Sequence, residues 1–93
     1  MIRHESSILL THCNTQEEIL NCCRLIHTID AYHGNDVYSV FLTTRSRDVI
    51  DEEFVYDIAR CESKAIDFFT LICREHVTAC TLRDIARDFL AES

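Results

Sequence analysis

The C-terminal segment constrains the fold of this chain more than any other part of its sequence. Across residues 78–90, apolar side chains recur at the spacing that lines one face of an α-helix. These side chains are Leu82, Ile85, Ala86, Phe89 and Leu90. Thr78 precedes them and is a typical N-cap residue. We therefore expect a helix over about residues 78–91, whose apolar face must pack against another part of the fold. The segment contains no set of side chains that indicates a particular reaction.

A second amphipathic segment lies directly before it. Residues 61–76 carry a broad helical stripe made of Ala65, Phe68, Phe69, Ile72 and Cys73. The link between the two helices, residues 75–77, is short, so we expect the helices to be close neighbours that cover the same surface.

Residues 8–58 have the pattern of strands. Gly34 and Asn35 form a pair that supplies the positive φ of a two-residue hairpin turn, and residues 37–44 are rich in β-branched and aromatic side chains. Such a turn predicts these cross-strand pairs: Ala31 with Tyr38, Ile29 with Val40, His27 with Leu42, and Leu25 with Thr44. A competing interpretation is a helix capped by Asn14 and running to Ile29. The apolar face of the hairpin favours the strands.

Two more strands complete the expected sheet. Residues 52–58 alternate, which predicts that Phe54, Tyr56 and Ile58 lie on one side and Glu53, Val55 and Asp57 on the other. Residues 8–12 predict a short strand at an edge. The sequence therefore predicts an α+β fold in two layers, with a three- to four-stranded antiparallel sheet followed by two C-terminal helices. We expect residues 1–93 to form one domain, because a single core commonly occupies about 100 to 150 residues.

Composition restricts the compartment and the partners. The net charge is −7 and the basic residues are scattered, so we expect no nucleic-acid partner. No apolar run approaches the roughly 20 residues of a membrane span, so we expect no membrane partner. The N-terminus lacks the pattern of a signal peptide, and we expect a cytoplasmic protein.

The six cysteines raise the questions of disulfides and metal. A cytoplasmic protein keeps its thiols reduced, so we expect six free cysteines that act mostly as small buried apolar residues. Two Cys/His groups have partial zinc-ligand spacing. They are Cys73, His76 and Cys80 with Cys61, and the doublets His12-Cys13 and Cys22-Cys23. A helix break near Val77 divides the first group, and neighbouring strand residues point to opposite faces in the second. We therefore expect no metal and no cofactor.

Catalytic patterns are weak. Cys61 and Cys80 lie near the predicted helix starts, where a thiol pKa falls, but neither has a histidine next to it in the sequence and no Cys-x-x-Cys is present. The carboxylates of residues 51–53 form a charge run that is typical of a solvated turn. A single glycine leaves no phosphate-cradling loop. We expect no enzyme and name no catalytic residues.

The charges of the last helix are a candidate partner-binding surface. Asp84 and Asp88 are four residues apart, so they share a helix face and repel each other. Asp88 also lies in the final turn, where the helix dipole favours cations. A residue that opposes its local field can serve a partner, and we take Asp84, Arg87 and Asp88 as the candidate surface. In the alternative interpretation Asp84 pairs with Arg87, and Asp88 is simply solvated.

Four short motifs resemble a small bacterial family from Gram-positive anaerobes. Their residues are Tyr38-Ser39-Val40, Val77-Thr78-Ala79, Thr81-Leu82-Arg83-Asp84-Ile85 and Asp88-Phe89-Leu90. In that family the corresponding motifs are a Tyr-Gly-Ile strand, Val-Ser-Pro, His-Leu-x-Asp-Val and Asp-Phe-Leu. The resemblance covers about residues 36–91 and implies a strand followed by two helices. The family has no assigned activity, so the resemblance implies a fold but no biochemical function.

Three positions depart from the family pattern. The family's proline, histidine and strand glycine are Ala79, Thr81 and Ser39 here. Alanine fits the first helical position without strain, so the fold implied by the resemblance stands. Any role of the family's histidine cannot transfer to Thr81, because threonine is neither an imidazole ligand nor a base at neutral pH.

From these patterns we expect a small acidic cytoplasmic module that binds another protein or itself, as a possible homo-oligomer, and has no catalytic activity. Small size favours self-association, because a shared interface supplements a limited core. An open sheet edge or the last helix is the expected docking surface. The alternative is a Cys/His metal-binding or thiol-redox protein.

Overall fold

A four-stranded antiparallel sheet carries two helices on one of its faces. In the computed structural model, residues 5–30, 32–59 and 61–92 are described. The elements in chain order are β1 (Glu5–Gln16), β2 (Ile19–Ile29), β3 (Asp36–Ser46), β4 (Val49–Ala59), α1 (Glu62–Arg74) and α2 (Ala79–Glu92), and the strands lie in the order β1-β2-β3-β4. The predicted two-layer α+β fold is confirmed. The alternative helix from Asn14 to Ile29 is wrong, because that segment forms strands.

The core lies between the helices and one face of the sheet, which we call the inner face. Leu25, Val40 and Leu42 point from β2 and β3 into this layer and are at most 1% exposed. Phe68 of α1 and Leu82 of α2 are equally buried, and both predicted apolar stripes pack against this core except for Leu90, which is 44% exposed. The helices also touch each other, since the rings of Phe68 and Phe89 lie 5.0 Å apart. The two helices therefore close one core together, as their short link predicts.

The predicted pairing of β2 with β3 is wrong, although its choice of faces is correct. Ile29 lies opposite Asp36 instead of Val40, so the strands join through a loop of residues 30–35. The same displacement pairs His27 with Tyr38 and Leu25 with Val40. The displacement is an even number of residues, which leaves every side chain on its predicted face. The predicted partner of Tyr38, Ala31, lies outside the described residues.

Asp30 closes this longer loop. Its carboxylate accepts a hydrogen bond from the Tyr32 N–H at 2.9 Å and contacts the His33 ring at 3.0 Å. The hydrogen bond from Tyr32, followed by the one from His33, lowers the pKa of Asp30. Gly34 adopts φ of 67° and donates its N–H to the Asp30 carbonyl at 2.7 Å. Gly34 therefore supplies a positive φ, as predicted, but as part of an aspartate-capped loop.

The predicted faces of β4 are correct for residues 53–56 and wrong for Ile58, because a β-bulge interrupts the strand. Val55 and Ile58 are buried, whereas Phe54 and Tyr56 are 44% and 61% exposed. The register with β3 shifts between Tyr38 and Val40, and Asp57 adopts φ of 57°. Four residues of β4 span the distance of two residues of β3 at the bulge, which turns Ile58 into the core while Ala59, opposite Tyr38, stays on the inner face with Val55. Strict alternation therefore fails between Tyr56 and Ile58.

The edge strand β1 occupies its predicted place but is longer than predicted. It runs beyond residues 8–12 and pairs with β2 from Glu5 to Gln16, with a β-bulge between Ile8 and Leu10. Gln16 lies opposite Ile19, so Glu17 and Glu18 alone form the turn, with φ of 51° and 68°. Positive φ at both positions is the mark of a type I′ turn, which normally prefers asparagine and glycine. This hairpin carries no usual turn residue.

Each end of the link between the helices is fixed by hydrogen bonds. After α1, His76 adopts φ of 52°, and its N–H and that of Val77 bond to the carbonyls of Cys73 and Ile72. This is a Schellman motif with histidine at the usual glycine position. At the start of α2, the buried N–H of Ala79 donates to the Thr44 hydroxyl of β3 at 2.8 Å. The hydroxyl of the predicted cap, Thr78, instead contacts the side chains of Cys80 and Thr81.

We expect Thr44→Val to destabilise the fold by about 1 to 3 kcal/mol, because it leaves a buried N–H without a partner. The Thr44 hydroxyl also donates to Asn21 at 2.7 Å, so one substitution removes two bonds. Thr43→Val, at the neighbouring half-buried position on the other face, is the matched control, with an expected change within about 0.5 kcal/mol. Urea denaturation measures both. Equal losses for the two variants would contradict the role of Thr44.

Candidate interaction surface

Both described helices pack on the inner face of the sheet, which leaves the opposite, outer face without a covering layer in the described part of the chain. Alternation along the paired strands defines this outer face. Its register positions are Ser6, Ile8, Thr11, Cys13 and Thr15 of β1; Leu20, Cys22, Arg24, Ile26 and Thr28 of β2; Val37, Ser39, Phe41, Thr43 and Arg45 of β3; and Ile50, Glu52 and Phe54 of β4. Tyr56 joins this face at the bulge, where its ring lies beside Phe54, and Val37 and Ser39 are buried at this end of the face.

The middle of the outer face is apolar. Ile8 pairs with Ile26, and Phe41 pairs with Phe54. Ile26 is the diagonal neighbour of Phe41, because its direct partner on β3 is Ser39. The rings of Phe54 and Tyr56 lie 6.4 Å apart. These five side chains form one patch across the sheet, which we call the outer cluster.

The outer cluster is accessible to a partner. Ile8, Phe54 and Tyr56 are 58%, 44% and 61% exposed, and Ile26 and Phe41 are half-buried. An exposed patch of large apolar side chains rimmed by polar residues is typical of an interaction site. The sequence alone misses this patch, because its members come from four strands and meet only when the register is known.

The two edges of the sheet differ in charge. β4 carries Asp51, Glu52, Glu53 and Asp57 together with its bulge, and charges and bulges at an edge oppose pairing with another strand. Glu53 is held on the inner side, where its carboxylate accepts hydrogen bonds from the Arg83 guanidinium of α2. Residues 6–16 of β1, in contrast, contain no aspartate, glutamate, lysine or arginine. β1 also has a bulge, between Ile8 and Leu10, so the β1 edge is the more open one because of its lack of charge.

The candidate residues of the last helix lie in the helix layer, away from the outer face. Asp84, Arg87 and Asp88 are all exposed on α2. None of the three forms a side-chain hydrogen bond or an ion pair with another residue that the structure describes, so the alternative pairing of Asp84 with Arg87 is absent there. Their role as a partner-binding surface stays a prediction.

The expectation of six reduced thiols is wrong for two cysteines. Cys13 and Cys22 lie directly opposite each other in the first hairpin and form a disulfide on the outer face. The free cysteines of the described chain are Cys23, Cys61, Cys73 and Cys80. Burial, and then the neighbouring Cys73, raise the pKa of the Cys23 thiol to about 12, so that thiol stays neutral. Cys61 and Cys80 are exposed, so these two do not act as buried apolar residues.

The Cys/His residues do not assemble into a metal site. His12, Cys23, Cys73 and His76 line one cavity of about 10 Å³, the size of a single water molecule, beside Asn14. His76 contacts the Asn14 amide at 3.2 Å. Within residues 5–30, 32–59 and 61–92, no three His, Cys, Asp or Glu side chains are arranged to hold an ion. Neither of the two Cys/His groups with partial zinc-ligand spacing is therefore assembled among these residues, and the expectation of no metal stays a prediction.

Cys61 has the environment of a reactive thiol. It is the N-cap residue of α1 and is exposed. A hydrogen bond with the Ser63 hydroxyl at 3.3 Å, and then the Lys64 backbone N–H, lower the pKa of its thiol. Among the described side chains no histidine or carboxylate hydrogen-bonds to this thiol, so it lacks the adjacent base of a catalytic cysteine.

Comparison with known proteins adds no relative. No family model matches the sequence, and neither a curated protein nor a solved structure matches it significantly. The resemblance to the bacterial family therefore stays a prediction. Among the helices of the described residues, none combines the length and the apolar character that a membrane span requires.

Thiol counting tests the disulfide. In denaturant without reductant we expect four reactive thiols per chain, because Cys13 and Cys22 are bonded. In the native protein we expect two fast thiols, Cys61 and Cys80, and slow reaction of Cys23 and Cys73 because burial protects them. The reagent is an aromatic disulfide followed by absorbance. Six thiols in denaturant would show that the hairpin disulfide does not form.

The pH dependence of alkylation tests the environment of Cys61. In a Cys80→Ser background, the fast rate should reach half its maximum below pH 9.0, the ordinary thiol value, because the thiolate is the reacting form. Ser63→Ala removes the largest stabilising contact, and we expect the midpoint to move upward. Thr70→Ala, elsewhere on the exposed side of α1, should leave it unchanged. A midpoint unaffected by Ser63→Ala would refute this explanation.

Proposed function

We propose that this chain is a small non-catalytic protein-interaction module that docks on its partner through the outer face of its sheet. The observation that carries the proposal is the outer cluster, whose exposed members Ile8, Phe54 and Tyr56 have no covering layer in the described chain. Removing such apolar surface from water contributes about 25 cal/mol per Å² before the costs of association.

The size and charge of the chain support the same function. A domain of 93 residues has a limited core, so burial at an interface adds appreciably to its stability. A net charge of −7 disfavours nucleic acid and favours solubility in the unbound state. We keep the cytoplasm as the proposed compartment and a protein, either another chain or a second copy, as the proposed partner.

Photo-crosslinking in the expressing cell tests which surface docks. We would place a benzophenone amino acid at one of three positions: Phe54 on the outer face, Arg87 on the predicted helix surface, or the exposed Thr70 of α1 as control. We expect adducts from position 54 that are absent from position 70, whether their mass shows a second copy or another protein. Adducts from position 87 alone would move the interaction to α2 and contradict our choice of surface. The absence of adducts at all three positions would contradict the function itself.

A thiol-redox role is the second candidate, and the Cys13–Cys22 disulfide favours it. Reduction by a dithiol donor would transfer two electrons and two protons to this pair and leave the donor as a disulfide. In a reducing compartment the hairpin would then exist in both states. The thiol count described above tests this candidate, because six free thiols would remove its basis.

A further inference from the structure

We propose that the partner on the outer face is a second copy of this chain, packed sheet against sheet about a two-fold axis. This inference rests on the proposed function and specifies its partner. The resulting dimer has four layers, with the two sheets inside and the helices of each copy outside. Two sheets that pack in this way lie about 10 Å apart, and the side chains of their facing surfaces interdigitate.

The area of the outer face matches what a stable dimer needs. The four strands are 11 or 12 residues long. With spacings of about 4.8 Å between strands and 3.4 Å between residues, the face measures roughly 700 Å² in projection. A specific interface of standard size buries about 800 Å² per partner, and accessible area exceeds projected area because side chains are uneven. Full contact of two outer faces therefore reaches the standard size.

The charges of the outer face make it better suited to self-association than the other surfaces of the chain. The charged side chains at its register positions in the described strands are Arg24, Arg45 and Glu52. Two copies that each carry −7 repel each other, but this face adds none of that excess. A two-fold interface must also complement itself. Because the face carries both signs beside an apolar centre, an arginine of one copy has a glutamate of the other to meet.

The inner face and the helix surfaces satisfy these conditions less well. The inner face is already covered by α1 and α2. The exposed side of α2 carries both signs, with Asp84, Arg87 and Asp88, but among its described residues Leu90 is the one exposed large apolar side chain, so it lacks an apolar centre. The β4 edge is acidic and bulged. The β1 edge remains as a competing site, where two chains could pair strand to strand. The experiment below distinguishes that dimer from one formed through the outer face.

Analytical ultracentrifugation of the purified full chain over a wide concentration range tests the dimer. We expect a monomer–dimer equilibrium for the unmodified chain. Phe54→Lys and Tyr56→Lys should each weaken dimerisation at least about tenfold, because each places a charge in the apolar centre of the interface. The control is Ile66→Lys on α1, which changes a side chain of similar exposure, 39%, and should leave the dimer constant unchanged.

The variants are compared only after circular dichroism and urea denaturation show that they are folded. A chain that stays monomeric at all concentrations would overturn the second-copy proposal. A dimer that survives both outer-face substitutions would place the contact elsewhere, such as the β1 edge, and would also overturn it. A monomeric chain that gives adducts with another protein from position 54 in the cell would leave the proposed function standing. A monomeric chain without adducts would overturn both.

Discussion

The packing of two helices on a single face of the sheet is the interaction on which the rest of this structure depends. It decides which side chains of each strand are buried, and thereby places Leu25 and Val40 in the core. The same choice leaves the alternate side chains of every strand on the outer face. Ala65 and Ala86 are fully or almost fully buried, which shows how closely both helices lie against their neighbours. The same alternation that buries one set of side chains therefore also determines which residues make up the outer face.

Polar contacts fix the position of α2 relative to the sheet. Thr44 links the start of α2 to both β3 and β2, because its hydroxyl accepts from Ala79 and donates to Asn21. Arg83 binds Glu53 and holds the next turn of α2 over β4. Non-glycine residues in the left-handed region, such as Glu17 and His76, each cost about 1 to 2 kcal/mol. The chain has a single glycine, so its turns place other residues in this region. Burial in the core must offset the resulting strain.

The sequence predicts the helices better than the sheet, and the reason is physical. Helical stripes such as Ala65 to Cys73 depend on neighbours within the same segment, so periodicity finds them. Strand pairing depends on the connections, and here Asp30 and not Gly34 sets the loop that fixes the register. The bulge at Asp57 leaves no mark in the alternation of residues 52–58. The β1–β2 turn, formed by glutamates, is likewise invisible to a search for glycine or asparagine.

The candidate surface was beyond prediction for the same reason. The outer cluster joins side chains from four strands, so it exists only after the register and the bulge are both known. Pairing of Cys13 with Cys22 also follows from register, and the expectation of a reducing compartment pointed away from it. Sequence reasoning selected Asp84 and Asp88 because they conflict with their own helix, and Arg87 because it lies one turn from Asp84; both are local properties.

Two modes of association differ at β1: contact between two outer faces gives a closed dimer, whereas strand pairing at the β1 edge can continue from chain to chain. The helices pack mainly on β2, β3 and β4, so β1 depends on its hydrogen bonds to β2, the Cys13–Cys22 disulfide and the contact of Asn14 with His76. The disulfide joins the two strands near their turn, whereas Ile8 is held beside Ile26 by the strand pairing beyond the β1 bulge. Two faces joined about a two-fold axis form a closed pair, whereas strand pairing at an open edge can continue from chain to chain. The acidic, bulged β4 edge stops such growth on the other side of the sheet, because a strand that approaches it meets the carboxylates of residues 51–53.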